Sequence, residues 1–426
     1  MGWRRSAGLL AVLALAVAPA LAPRGAAAGE PKTNLLSQWS TGSDAAAIAK
    51  LGEMFQAAGG QWTATSIAGH TANTIAKLRA DVVAGSAPPA VQLKGPEIAE
   101  WAATGMTADL DPIAEREQWD RLVAPELIGV MKPKGTWVAV PMNIHRINWL
   151  WASKKALDAA GIASMPKTWA EFNADAAKLK AAGIIPVAHG SMDWVDATLF
   201  ENIVYGMNID LYRKSFVQLD PAALRGADMQ AAFAELRKVI NWTDPGMPGR
   251  EWDASANLML NGKAGFFFMG DWAIGTFNAE GFRYGTDYLC AQAPSDNGKP
   301  GFILNSDSVV FFKQKDPDYV AGQTLLAHLI MTKDFQRIFN QAKGSIPARM
   351  DVDVSQGFNP CQVLSKAQLQ DSIQAGTLVL SMAHNMSVLQ KYRGAMMEVI
   401  TEFVNTPDMS PADAANKLGD AVEAQM

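Results

Sequence analysis

The sequence predicts an α/β protein of two lobes, and three observations lead there. With a 28-residue leader set aside, about 398 of the 426 residues remain, more than one hydrophobic core usually supports. Residues 33–95 alternate strand, helix, strand, helix, strand, the pattern of a parallel sheet covered by helices. A second alternation of apolar strands and amphipathic helices begins near residue 143.

Taken in order, the chain starts with MGWRRSAG, the apolar run LLAVLALAVAPALA and the small-residue stretch GAAAGE, the three parts of a secretory signal. Ala26 and Ala28 form an A-x-A site, so cleavage is expected near Ala28, placing the mature protein in the periplasm; a retained anchor is the alternative. NLLSQWS reads as a strand, DAAAIAKLGEMFQAAGG as an amphipathic helix stopped by Gly, and QWTATSI as a second strand. A helix over 71–84, the turn GSAPP and the strand AVQLKG complete this unit. Ligands in such sheets bind beyond the carboxyl ends of the strands, here Trp39–Gly42, Ala68–His70 and Gln92–Gly95.

TWVAVPM is then a strand, NIHRINWLWASKKALDAAG a strand followed by a helix, PKTWAEFNADAAKLKAAG a helix and IIPVAHG a strand. Residues 197–260 read as mainly helical. The apolar run AGFFFMGDWAIG and the strands TDYLCAQAP and GFILNSDSVVFF follow. One long helical pattern spans 319–342, and the last 100 residues return to helices, with SMAHN as a loop between two of them. The sequence shows no internal repeat and no long linker.

Composition excludes several classes. Without the leader, 34 basic residues stand against 42 acidic ones, a net charge near −8, which argues against nucleic acid as a partner. Cys290 and Cys361 are the only cysteines. In an exported chain one disulfide between them is expected, two buried thiols being the alternative. Neither belongs to a C-x-x-C pair, and the five histidines show no ligand spacing, so no metal and no cofactor is expected. DVDVSQG at 351–357 falls short of a calcium loop, because its Gly is one position late and the twelfth residue is Gln362. No G-x-S-x-G turn and no phosphate loop is present.

What stands out is a set of polar residues beside aromatics at strand ends and tight turns. Trp39 precedes STGSD, Asp271 and Trp272 follow FFFMG, Asp307 sits in LNSDS, Lys343 precedes Gly344, and His384 lies in SMAHN. Each has a plain alternative: the tryptophans as core, Asp44 as a helix cap, Lys343 as a cation at a helix C-terminus, His384 as a satisfied loop residue.

Together QWSTGSDAAA, VVAGSAPPAVQLKGPEIAEWA, TADLDPIA, VPMNIHRINWLWASK, PKTWAEF, MGDWA, NSDS, QAKGSIPARMDV and SMAH make the sequence resemble an extracytoplasmic sugar-binding protein of an ABC importer, of the glucose and galactose-binding type. The resemblance covers essentially the whole mature chain and implies the two-lobe periplasmic binding protein fold, class II-like, with discontinuous lobes joined by a hinge. Lobe 1 would be 29–142 and 303–347, and lobe 2 would be 143–302 and 348–426. By the same resemblance Trp272 would stack on a pyranose, assisted by Trp252, with Trp39 in the first strand loop lining the cleft; Ser43, whose hydroxyl stands in STGSD before a helix, is a further ligand candidate read from the residues themselves. Gln92, Lys94, Asn143, His145, Asp307, Lys343 and His384 would supply hydrogen bonds. The sequence departs at Gln38, where related sequences often carry a second Trp, and at position 94, which can be His.

The residue types suit that role: indoles cover the CH face of a sugar while fixed donors and acceptors read its hydroxyls. The expected function is a monomeric, non-catalytic receptor that closes around a hexose such as glucose and delivers it to the membrane subunits of an ABC permease. A secreted carbohydrate-active enzyme, or a receptor for an oligosaccharide or another polyol, is the alternative.

Overall fold

The computed structural model describes residues 1–2, 30–40, 42–68 and 70–426. The leader expected over 1–28 lies almost entirely outside them, as does the Ser43 side chain. Among the described residues, the first half of the chain supplies strands β1 (Lys32–Ser37), β2 (Gln61–Ser66), β3 (Ala90–Leu93), β4 (Ala139–Pro141), β5 (His145–Arg146), β6 (Trp149–Ser153) and β7 (Ile185–Ala188). The second half adds β8 (Ala264–Phe268), β9 (Tyr288–Gln292), β10 (Phe302–Asn305), β11 (Ser308–Phe311) and β12 (Leu378–Leu380).

These strands form three sheets. The first has the order β2-β1-β3-β11-β4, with β1, β2 and β3 parallel and β11 antiparallel to both its neighbours. Another has the order β7-β8-β6-β9. Between them in the chain's path lies a small sheet, β12-β10-β5. The strand-helix alternation read over 33–95 is present, with helices Gly42–Ala57 and His70–Val83 linking the parallel strands.

Each large sheet has its own core. Leu35, Leu36, Val91, Val140, Val310 and Phe311 anchor one, together with Phe335 and Phe339 from the helix Lys333–Lys343. Leu150, Val187, Phe266 and Phe268 anchor the other, covered by the helices Asp193–Met207, Ala227–Ile240, Gln390–Asn405 and Pro411–Glu423. A third cluster gathers Trp149, Trp151, Phe267, Phe277 and Tyr288 around Cys290 and Cys361. The expected disulfide Cys290–Cys361 is present, with a Cα–Cα distance of 6.2 Å.

Three elements differ from the sequence reading. GFILNSDSVVFF forms two strands in different sheets, because the chain is turned between them by polar anchors. Ser306 Oγ donates to the Asn143 carbonyl at 2.7 Å and the Asp307 amide to Asn143 Oδ1 at 2.8 Å. The helical pattern of 319–342 is two helices, Pro317–Ile330 and Lys333–Lys343. Thr332 separates them by capping the second one, its Oγ1 accepting from the Phe335 amide at 3.2 Å. Strand β12 was not read from sequence because it is three residues long and joins a sheet whose other members lie far away in the chain.

The small sheet is held by Arg146. Its fully buried guanidinium donates to Gly301 O at 2.8 Å, to the side chains of Asn148 and Gln292, and to Gln368. It also lies 4.4 Å from the Trp149 ring centroid. Burial lowers its pKa to about 9.

Candidate functional site

His145 opens β5, Asn305 closes β10, and Ser381 to His384 follow β12, so the small sheet delivers three polar segments to one end. There a cavity of about 400 Å³ opens between the two large sheets. Gln38, Trp39, Ser40, Asp44, Ala68 and Thr71 line it from the side of the first sheet, where the parallel strands end. Met192, Trp194, Glu251, Trp252 and Trp272 line it from the other side. Lys94, His145, Asn305, Asp307, Lys343, His384 and Arg393 complete the lining.

Asp307 is the centre of the floor. Its Oδ1 accepts from Lys94 Nζ at 2.7 Å and Gln92 Nε2 at 3.2 Å, and its Oδ2 meets Asn143 Nδ2 at 2.9 Å and His145 Nε2 at 3.2 Å. Burial pushes this carboxyl up, but Lys94, His145 and Lys343 outweigh it and hold Asp307 well below the usual carboxylate range. His145 is clamped on its other nitrogen by the buried Asp271, which also accepts from the Arg146 amide at 2.9 Å. Burial alone would lower the His145 pKa; the two carboxylates reverse the sign and raise it. Burial raises Asp271, against the pull of His145.

Lys343 is 4% exposed and pairs with Asp44 Oδ1 at 2.8 Å, with its ammonium 5.1 Å from the Trp39 ring centroid. Trp39 in turn stacks on Phe339 at 6.2 Å. The turn after Lys343 depends on glycine: Gly344 has φ 87°, and a Cβ there would fall 2.5 Å from the Asp271 carbonyl. Asp44 is not the helix cap expected from sequence. It lies within the first turn of the helix Gly42–Ala57, where it faces Lys343. On the opposite side Trp272 lies edge-on to His145 at 5.4 Å and 5.1 Å from His384. Gly270 makes that pose possible, since a Cβ there would fall 2.2 Å from the indole.

Of the residues singled out in the sequence, Trp39, Lys94, His145, Trp252, Trp272, Asp307, Lys343 and His384 line this one cavity. Gln92 and Asn143 do not line it; both are buried behind Asp307 and hold its carboxylate. Sequence reasoning missed Trp194, Thr71, Asn305 and Arg393. Trp194 had a usable signal, because SMDW follows strand β7 as QWST follows β1. Gln38 accepts a hydrogen bond from Thr71 across the strand ends.

The model of the bacterial extracellular solute-binding protein family matches residues 50–359, most of the chain. The chain belongs to that family. A relative of this solute-binding protein, named "Probable sugar-binding periplasmic protein" in Rhizobium meliloti (strain 1021), is 38% identical over 410 residues, spanning 96% of this chain and 98% of the relative. Among solved structures, a chitin oligosaccharide binding protein matches with a TM-score of 0.78 at 18% identity, covering 93% of this chain and 99% of that one. The bacterial solute receptor AcbH, described with an exclusive preference for b-D-galactopyranose, matches with a TM-score of 0.73 at 16% identity over 93% and 100% of the two chains. At these identities the structural likeness speaks for the fold, which is the two-lobe fold of periplasmic solute-binding proteins. No helix among the described residues is long and apolar enough to cross a membrane.

Proposed function

We propose that this solute-binding protein is the sugar receptor of an ABC importer, holding one neutral hexose, such as glucose, between its lobes. The observation that carries the reading is the charged floor of Lys94, Asp307 and His145 set between indole walls. Ionised groups fixed by their own partners give charge-assisted hydrogen bonds to hydroxyls, and the indoles of Trp272, Trp252 and Trp39 cover apolar faces. A cavity of about 400 Å³ lies at the small end of the range for small-molecule sites and suits one ring better than a long oligosaccharide. The fold neighbours are described with ligands from a galactopyranose to chitin oligosaccharides, so their likeness does not choose between these sizes.

Lobe 1 is taken as residues 29–142 and 303–347 and lobe 2 as 143–302 and 348–426. Ligand touching both lobes favours the closed state, which a monomer presents to the permease in the periplasm. The periplasmic naming of the 38% identical relative and the leader read over 1–28 support export.

Thermal melts with a sugar panel, paired with mass analysis of the recovered sugar, test the reading. A neutral hexose is expected to raise the melting temperature and to be recovered unchanged. A cleaved or oxidised product, or stabilisation by long oligosaccharides alone, would overturn it. Lys343→Ala is expected to weaken hexose binding at least about tenfold, the loss of one charge-assisted hydrogen bond. Calorimetric titration measures it, and unchanged affinity would remove Lys343 from the site.

A further inference from the structure

His384 borders the cavity, yet its Nε2 has no hydrogen-bond partner and is shut off from solvent. Which form of the imidazole stands there follows from its other nitrogen. Nδ1 meets Ser381 Oγ at 2.9 Å, and the same hydroxyl lies 2.7 Å from Glu201 Oε1. Glu201 is fully buried, and its other oxygen accepts from the Met382 amide at 2.9 Å, the Tyr212 hydroxyl at 2.8 Å and the Ala383 amide at 3.3 Å. A carboxylate ringed by donors is an acceptor, so the single Ser381 proton points to Glu201. Ser381 Oγ can then only accept from His384, which puts the imidazole proton on Nδ1 and leaves a lone pair on Nε2.

We infer that His384 is a fixed acceptor for a ligand hydroxyl, held in its Nδ1–H tautomer by Ser381 and Glu201, and that this wall selects a hydroxyl donor over a carboxylate or ether oxygen. The inference rests on the sugar reading above and adds the direction of one hydrogen bond and the residues that set it. Arg393 is a third positioning residue, after Ser381 and Glu201. Its Nε donates to Ala383 O at 2.7 Å, so the loop is gripped by Glu201 on its amides and by Arg393 on its carbonyl. Asn305 borders the same cavity with a side-chain amide that makes no hydrogen bond to the described residues, and its Oδ1 is buried. Two unsatisfied polar side chains at one wall mark where ligand hydroxyls belong, because unpaired buried polar groups are costly.

The neutral form is favoured by the surroundings. Burial lowers the His384 pKa, Lys94 and Arg393 push the same way, and Glu201 opposes them. The other charged groups around the cavity are Asp44, His145, Glu251, Asp307 and Lys343. His145, raised by its two carboxylates, takes up its proton at higher pH than an ordinary imidazole, and Asp271, raised by burial, is a second group that can gain one on the acid side, so only the part of the acid limb that His384→Gln removes reports His384. The sign follows: as pH falls below the ordinary imidazole value of about 6.5 toward the lowered one, Nε2 gains a proton and ceases to accept.

Two measurements on the full-length mature protein test this. In imidazole-¹⁵N spectra at pH 7.5, with His384→Gln used to assign the signal, His384 is expected as the Nδ1–H tautomer. An Nε2–H tautomer or an imidazolium would overturn the inference, whatever sugar is bound. Titrations with D-glucose and D-galactose from pH 8 to 5 are expected to show affinity falling on the acid side. His384→Gln, whose amide oxygen can replace the acceptor, is expected to keep binding within about tenfold and to flatten that limb, while His384→Lys loses about 100-fold or more. Binding that strengthens toward pH 5, or an acid limb that is unchanged in His384→Gln, refutes it. Failure of every sugar to bind would fall on the sugar reading instead, and the spectra would still decide the tautomer.

Discussion

Replacing Asp307 by Asn is expected to weaken hexose binding by at least about 100-fold, the ~3 kcal/mol scale of breaking a buried charge pair. The carboxylate neutralises Lys94 at 2.7 Å and receives Gln92, Asn143 and His145 on its remaining lone pairs. An amide of the same size keeps the shape but turns a donor toward at least one of these donors. It also leaves the Lys94 ammonium, 8% exposed, without its counter-ion. The loss should exceed that of Lys343→Ala, since among the described residues Lys343 is ion-paired to Asp44 alone, whereas Asp307 organises four neighbours. Calorimetry gives the affinity, and circular dichroism confirms that the variant is folded. A folded Asp307→Asn protein with native affinity would remove the charged floor from the binding reading.

The second large effect is on stability. Cys290 and Cys361 close a loop of 71 residues, for which the chain-entropy model gives about 4 kcal/mol. Cys290 lies in β9 and Cys361 in the first turn of the helix Pro360–Gln374. The paired variant Cys290→Ser, Cys361→Ser is therefore expected to melt roughly 8–16 °C lower for a cooperative unit of about 200 residues. Binding should suffer as well. In the next position of that helix, Gln362 donates to Asn340 O at 2.8 Å and Ser345 O at 2.6 Å, clasping the turn that carries Lys343. Scanning calorimetry with and without reductant measures the shift. An unchanged melting temperature would mean that the covalent link carries no stability.

Much of this was legible from local pattern. The alternation over 33–95 announced the parallel strands, and the rule that ligands gather at strand ends pointed to Trp39 and Lys94. Gly344 after a helical run marked a turn, and the turn is where Lys343 faces the cavity. What stayed hidden depends on distant pairing. Glu201 and Arg393 sit in the interior of helices, and their role exists only because the loop after β12 folds against both. Gln92 and Asn143 were legible as polar residues near the site, but only their distances to Asp307 reveal that they hold another side chain instead of facing the cavity. The split of GFILNSDSVVFF was invisible because its twelve residues keep one strand-like pattern, while the break lies in bonds to Asn143, more than 160 residues earlier.

The small sheet β12-β10-β5 gives the receptor a fixed datum. His145, Asn305 and the segment starting at Ser381 sit at one end of the same three strands, tied by the Asn305–His145 pairing and by the Ser381 amide on Leu304 O at 2.9 Å. In the proposed closure Trp39 and Thr71 would move relative to Trp194 and Trp252, while these three segments keep the spacing that the small sheet sets. On the proposed reading a sugar would first be measured against the end of one sheet, and only a sugar that fits it would give the two walls something to close on.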